Sequence, residues 1–518
     1  MKKLIVKYPL QLLVVLGIIL RLPYLRGSFW MDEAAQALEI VRPLSQQLDI
    51  IADFQPPLLH FILHFAQYFS HTEWFLRIIG ALIPGILTII FTYKLAEKLF
   101  SRSVATLATL LLTTSSFHIF FSQELRPYSL PTALAVMSMY YFILIVKNQH
   151  SFNGLLFKFF ARNSDDNYVI LTILNTLGLY ASYLYPFFML AQITYALTVL
   201  KFKHSKQLFI SFIFSILAFV PFLPIFLRQL AAGGAVRDQL PGWDQVVSLP
   251  QLKALPMVFG KLIFGVLPFD LNPVLILLFI TLTLSGFGVL FAIGKQIRNN
   301  NLTLILTWIL IPVLTAWLIS FIVPVVSPKR LLYLLPGLYI LFGYLAQEPL
   351  QLLRKKRLAQ LSLIEKSTLI FFLFLLITNI ISTTSYYLDP KLQRENWRSL
   401  QQEMHQKFEP ESTLVVYSFP EEFAPMRWYE QFEETPFKTF ATKSLYIEDV
   451  KNLSNDLKIA SNYKTVLVFD YLRDLTDPNK KIEARLAELG FKEVGVLDYP
   501  NIGFVRIFMQ PLTILGSK

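Results

Sequence analysis

Three kinds of side chain in this sequence sit where they can do chemistry. A carboxylate pair, Asp32-Glu33, follows the first apolar run, and a further acid opens the segment Asp53-Phe54-Gln55-Pro56-Pro57. Carboxylates so placed can take a proton from an attacking hydroxyl. Acids in a helix's first turn also cap its free N–H groups and complement its dipole, so both roles stand open. Cations come next, in Ser122-Gln123-Glu124-Leu125-Arg126-Pro127-Tyr128 and in Lys329-Arg330, which precedes an apolar run from Leu331. Two cations at a helix N-terminus face the positive end of the dipole, a placement that makes sense when an anion such as phosphate binds there. The alternative for Lys329-Arg330 is contact with anionic lipid headgroups, which also present phosphate. Glu124 and Arg126 can simply pair with each other at an interface, at little cost. His60 and His64 are i, i+4 neighbours as a metal pair would be, but no third ligand accompanies them, and they read as interfacial side chains with no metal.

The elements that must carry these groups are membrane spans. Of 518 residues 54% are apolar and 16% charged, against about a quarter charged in soluble proteins. Runs near the roughly 20 residues needed to cross a bilayer recur as far as Tyr387. They fall near Tyr8–Tyr24, Arg77–Leu95, Val104–Phe121, Tyr128–Val146, Tyr168–Leu184, Pro186–Leu200, Leu208–Leu227, Leu271–Ile293, Leu302–Pro324, Leu331–Leu345 and Thr368–Tyr387, about eleven in all. The first has charged flanks but no small-residue cleavage site and reads as a retained helix. Leu255–Asp270, broken by Pro256, Gly260, Gly265 and Pro268, reads as re-entrant or surface-lying, which keeps the parity of the count.

A net charge of +12 would suggest nucleic acid only if it gathered on one soluble face. Instead Lys2/Lys3/Lys7, Lys94/Lys98/Arg102, Lys147/Lys158/Arg162, Lys201/Lys203/Lys206, Lys295/Arg298 and Arg354/Lys355/Lys356/Arg357 occupy alternate loops. The positive-inside rule makes those loops and the N-terminus cytoplasmic, and puts the carboxylates, Arg126 and Lys329-Arg330 outside. The absence of cysteine excludes disulfides and thiolate metal sites.

Within the first outer loop, about residues 25–76, Met31, Ala34, Ala35, Leu38 and Val41 recur at helical spacing. They predict a surface helix with Phe29 and Trp30 at the membrane interface and Asp32 and Glu33 in its first turn. Pro57 is suited to start a second helix, over Leu58–Phe69, too short to span. Beyond Tyr387 the composition becomes that of a soluble domain. Strands are predicted at Thr413–Tyr417, Thr465–Phe469, Val494–Leu497 and Phe504–Phe508, and helices at Glu395–Phe408, Ile447–Ala460 and Lys480–Leu489, the last stopped by Gly490. Residues 1–387 thus form an α-helical polytopic membrane domain and 388–518 a small extracytoplasmic α/β domain.

Four motifs in order, Asp32-Glu33, Asp53-x-Gln55-Pro56-Pro57-Leu58, Gln123-x-x-Arg126-x-Tyr128 and Ser327-Pro328-Lys329-Arg330, resemble the GT-C glycosyltransferases. They are most similar to glycosyltransferase family 39 and its relatives, the protein O-mannosyltransferases and aminoarabinose transferases. Gln55 stands where many relatives have histidine. The resemblance implies a polyprenyl- or dolichyl-phosphate sugar donor, a site on the outer face, and Asp32 as catalytic base. Glu33 joins Asp32 in the catalytic pair, and Asp53, Gln55, Glu124 and Tyr128 are expected to bind substrate. Arg126, Lys329 and Arg330 are expected to hold the lipid phosphate, stabilising its charge as the bond breaks. A single displacement would invert the anomeric centre. No cofactor is implied, with a divalent metal left open. The expected partners are the lipid-linked donor, membrane lipids and a protein, lipid or glycan acceptor, with no nucleic acid, at the cell membrane. A transporter or flippase would place ionisable residues within its spans, which are nearly free of them here. A polymerase or ligase using a lipid-diphosphate donor on the same face is the other alternative.

Overall fold

The computed structural model describes residues 7–50, 54–147, 166–199, 205–239, 248–249, 251–267, 273–296, 298–355, 360–421, 424–442, 447 and 456–510. It divides into two compact units: Met1–Leu25, Leu48–Leu230 and Asp244–Leu388 form the first, and Arg26–Gln47, Ala231–Trp243 and Asp389–Lys518 the second.

The first unit is a helical bundle. Its elements begin with α1 (Pro9–Ile19), whereas the acid-bearing helix α2 (Met31–Ile40) belongs to the second unit. The chain then forms α3 (Leu58–Ala66), α4 (Glu73–Leu99), α5 (Arg102–Thr114), α6 (Ser116–Phe121) and α7 (Ser129–Val146). After these come α8 (Asp166–Leu179), α9 (Tyr185–Thr198), α10 (Lys206–Ala235), α11 (Gln251–Phe264), α12 (Pro273–Gln296), α13 (Asn300–Ile319), α14 (Leu335–Arg354) and α15 (Leu363–Leu388).

Among the described residues, five helices are long and apolar enough to cross a membrane: α4, α7, α10, α13 and α15. The protein is a multi-pass membrane protein. Helix α7 is apolar on every side and accordingly lies inside the bundle, against α4 and α8. Helix α10 instead leaves Ile213, Phe214 and Leu217 exposed, the surface a lipid-facing helix presents.

Two expected spans are interrupted. The run Val104–Phe121 breaks at Ser115, whose hydroxyl accepts from His118 N–H and restarts the chain as α6. The run from Leu331 opens as a 3-10 turn, Leu332–Leu334, and becomes α-helical only at Leu335. Lys329 and Arg330 therefore sit in the turn that leads into that helix's N-terminus. Of the Leu255–Asp270 stretch, residues 255–264 form the C-terminal part of α11, whose 14 residues extend about 21 Å, too little to span, and residues 268–270 lie outside the described residues.

The second unit contains a five-stranded sheet of β1 (Thr413–Tyr417), β2 (Lys438–Ala441), β3 (Thr465–Phe469), β4 (Lys492–Tyr499) and β5 (Gly503–Met509), in the order β2-β1-β3-β5-β4. β1 pairs in parallel with β2 and β3, while β5 is antiparallel to both β3 and β4. β1 and β3 are buried along their whole length and uninterruptedly apolar or β-branched, as central parallel strands are. Helix α16 (Trp397–Lys407) and the short α17 (Met426–Glu430) pack together. Helix α18 (Lys481–Glu488) ends before Gly490, which takes a left-handed φ of 89°. Of the expected helix Ile447–Ala460, residues 448–455 lie outside the described residues, and Leu457–Asn462 is 3-10.

Candidate functional site

Helix α2 forms where Ala34, Ala35 and Ala37 give it high helix propensity, and it buries Ala34, Ala37 and Ile40 on one side. Trp30, in extended conformation, stands at its N-cap position and supplies no side-chain cap. Asp32 and Glu33 occupy the first turn, but their surroundings differ. Asp32 is half-buried, while Glu33 is fully buried and faces Arg394 Nε at 3.7 Å. Glu33 is thus paired with Arg394 inside this unit.

Around Asp32 the second unit gathers groups that lie far apart in sequence. Glu395 accepts from Trp397 Nε1 at 2.6 Å and from Tyr471 OH at 2.8 Å. It also accepts the backbone N–H of Met31 and feels the charge of Asp32. Burial foremost, and then Asp32, push its carboxyl above the usual carboxylate range, while the three donors pull the other way. Tyr471 is pushed up by burial and by the same two carboxylates. Upstream, Phe29 N–H and Ser28 Oγ both meet Tyr429 OH, at 2.7 and 2.8 Å, and Arg398 donates to Ser28 Oγ and the Arg26 carbonyl. Phe29 packs on Trp428 with no exposed surface, so it is a core residue of this unit and not the interfacial side chain expected.

The first unit holds the other expected site residues. Gln55 is buried and its side-chain Nε2 meets His60 Nε2 at 3.0 Å, while its backbone carbonyl accepts from Gln229 Nε2. His60 and His64 are both buried, not interfacial, and have different partners, His64 meeting Tyr68 OH at 3.3 Å. Pro57 precedes α3, and its carbonyl receives Phe61 N–H to close the first turn. Asp53 lies outside the described residues. Among the described residues, no three His, Cys, Asp or Glu side chains group as metal ligands would.

Between α6 and α7 the chain makes the turn carrying Gln123, Glu124, Arg126 and Tyr128. Gln123 Nε2 donates to the carbonyls of Arg21 and Pro23, and its Oε1 accepts from Tyr386 OH. It anchors the turn on the end of α1 and on α15, a structural role that explains an otherwise costly buried amide. Glu124 is almost wholly buried, Arg126 half-buried, and Tyr128 packs edge-on against Phe121. Lys329 Nζ lies 5.4 Å above the Tyr128 ring centroid, a cation–π contact that joins the two motifs. Arg330 is half-buried, with Nη1 at 3.4 and 3.5 Å from the carbonyls of Val325 and Pro324. Arg394, Glu395 and Tyr471 were not singled out in the sequence, where nothing in their spacing points to Asp32.

Residues 54–227 match the family model described as dolichyl-phosphate-mannose-protein mannosyltransferase. No curated protein matches the chain by sequence. In structure it is similar to ArnT from Cupriavidus metallidurans in the apo state, with TM-score 0.56 and 11% identity over 98% of this chain and 99% of that one. The same protein bound to undecaprenyl phosphate gives TM-score 0.55 at 11% identity, with the same coverage. The Archaeoglobus fulgidus oligosaccharyltransferase tethered to an acceptor peptide gives 0.54 at 15% identity, over 99% of this chain and 76% of that one. The chain therefore has the fold of the GT-C glycosyltransferases, with a mannosyltransferase family match over residues 54–227 of its membrane region.

Proposed function

We propose that the protein is a membrane glycosyltransferase that moves a sugar from a polyprenyl-phosphate carrier to an acceptor on the outer face, inverting the anomeric centre. The observation that carries this reading is Lys329 above Tyr128, which brings a distant cation to the turn bearing Arg126. Cations so gathered suit a leaving phosphate, whose charge grows as the glycosidic bond breaks. The relatives support the donor class: ArnT has been crystallised with undecaprenyl phosphate, and the archaeal oligosaccharyltransferase has a structure with dolichol-phosphate. Asp32, half-buried in a first helical turn, takes the acceptor proton. Arg126, Lys329 and Arg330 hold the phosphate, and Gln55, Glu124, Tyr128 and Asp53 bind substrate. The reading calls for no cofactor, and puts the N-terminus in the cytoplasm and the second unit outside.

Membranes carrying the protein, incubated with radiolabelled polyprenyl-phosphate sugars, are expected to transfer label. Asp32→Asn is expected to lower transfer by about 10²–10⁴-fold at equal protein level. Transfer only from diphosphate-linked sugars would replace the donor assignment. An Asp32→Asn variant as active as the parent would reduce Asp32 to a helix-dipole residue.

A further inference from the structure

Gln229 is buried in a stretch of α10 where its neighbours are not. Leu223, Leu227 and Leu230 are exposed, while Gln229 keeps 2% of its surface. An amide carried by a membrane helix is costly unless each of its polar atoms is bonded. Here each is. Nε2 donates to the Ile50 carbonyl at 2.6 Å and to the Gln55 carbonyl at 3.2 Å, and Oε1 accepts from Tyr183 OH. One nitrogen thus draws together backbone carbonyls on either side of residues 51–54. Tyr183 lies in the turn between α8 and α9, and its ring packs on Phe226 of α10 at 4.9 Å. Tyr180, in the same turn, accepts the Leu58 N–H at 3.0 Å, so the turn holds the chain at the start of α3 as well.

The grip falls where the chain has little freedom to adjust. Phe54, just before Gln55, has a left-handed φ of 48°, which an L-residue keeps only where its surroundings hold it. After Gln55, Pro56 and Pro57 restrict φ at two successive residues and lead into α3. The Gln55 side chain, buried and 3.0 Å from His60 Nε2, is therefore placed by the backbone that Gln229 holds.

We propose that Gln229 is a positioning residue of the substrate site: its amide, oriented by Tyr183, fixes the backbone of Gln55 and with it the side chain that binds substrate. The proposal deepens the reading given above and rests on Gln55 binding substrate. A methionine would fill the same space on α10 with no amide to satisfy, and would leave the Ile50 and Gln55 carbonyls without this donor. A misplacement of about 1 Å can cost 10²-fold in rate. A loosened Gln55 is therefore felt in transfer, although Gln229 acts only through it.

The test uses the full-length protein in lipid, with two readouts: transfer from radiolabelled polyprenyl-phosphate sugars, and amide hydrogen exchange. Gln229→Met keeps the bulk and removes both donated bonds. It is expected to lower kcat/KM by roughly 10–100-fold. Exchange at Leu58 and Phe61 is expected to quicken by roughly tenfold, with α7 at its parent rate. Tyr183→Phe leaves the amide but not its orienting hydroxyl, and is expected to move both readouts the same way by less. If Gln229 acts through Gln55, Gln229→Met costs little more once Gln55→Ala is in place, whereas independent losses multiply. Multiplied losses overturn the proposal, as does parent-like transfer by Gln229→Met. Unchanged exchange at Leu58 and Phe61 overturns it whatever the activity. If Gln229→Met does not accumulate, the same cycle run with Tyr183→Phe decides. Parent-like transfer by Gln55→Ala removes the substrate role on which the proposal rests. A parent protein that transfers no label removes the proposed function itself, and the exchange result then still decides whether Gln229 holds the segment.

Discussion

Arg330 and Tyr128 carry the sharpest single-residue consequences of the phosphate reading. Arg330 Nη1 is at the outer limit of hydrogen bonding to Val325 and Pro324, so the local carbonyls restrain its guanidinium only weakly. Arg330→Ala is expected to weaken donor binding and slow transfer, and Arg330→Lys to recover part of both. Lysine keeps the charge but lacks the fork that matches two phosphate oxygens. Tyr128→Leu removes the ring beneath Lys329 and with it about 1 kcal/mol of cation–π attraction. Donor affinity measured for these variants decides the matter: parent-like values throughout would leave Lys329-Arg330 to the bulk lipid headgroups. Glu33, by contrast with Asp32, is fully buried and faces Arg394.

Among the elements, α11 depends on one glycine. Gly265 follows its last turn at φ 68°, a conformation that costs an L-residue about 1–2 kcal/mol. A Cβ there would also press into Ser116 Oγ of α6 and Ser382 Oγ of α15, which are hydrogen-bonded to each other at 2.5 Å. Val266 N–H completes the junction by donating to Ser116 Oγ. Gly265→Ala is therefore expected to lower the melting temperature of the detergent-solubilised protein and to separate α11 from its two neighbours. An unchanged melting temperature would mean that the junction relaxes freely. In the sheet, Arg506 on β5 reaches Asp470 through both Nε and Nη2, and Glu493 on β4 through Nη1, which ties three strands at one end. Asp470, Glu483 and Glu493 hold the Arg506 guanidinium above its ordinary value, the hydrogen bonds to Asp470 contributing most.

For the whole molecule, orientation is the property on which the outer-face reading depends. Basic loops alternate with apolar runs, and in the proposed orientation the positive-inside tendency retains them in the cytoplasm. A reporter active only outside the membrane is expected to be active when fused after Tyr387 and silent when fused after Lys356. The reverse pattern would place the acids, Arg126 and Lys329-Arg330 in the cytoplasm and remove the lipid-linked donor reading with them.

Much of this architecture was legible in the chain itself, because it depends on local pattern. Apolar runs, the alanine-rich turn after Asp32, the proline before α3 and the uninterrupted strands Thr413–Tyr417 and Thr465–Phe469 all declare their conformation within a few residues. β2 escaped notice because Lys438–Ala441 is a short, half-exposed edge strand with no alternating pattern. The site divides in the same way. Asp32 and the cationic motifs could be proposed from residue type and expected membrane side. That Lys329 meets Tyr128, that Phe29 is buried against Trp428, and that Glu33 and Met31 are held by Arg394 and Glu395 could not. Spacing fixes which face of a helix a side chain occupies, but its partner across the fold depends on the path of the intervening chain. Only the tertiary structure therefore decided which of the two adjacent acids would be buried in an ion pair and which would remain half-exposed beside a second carboxylate.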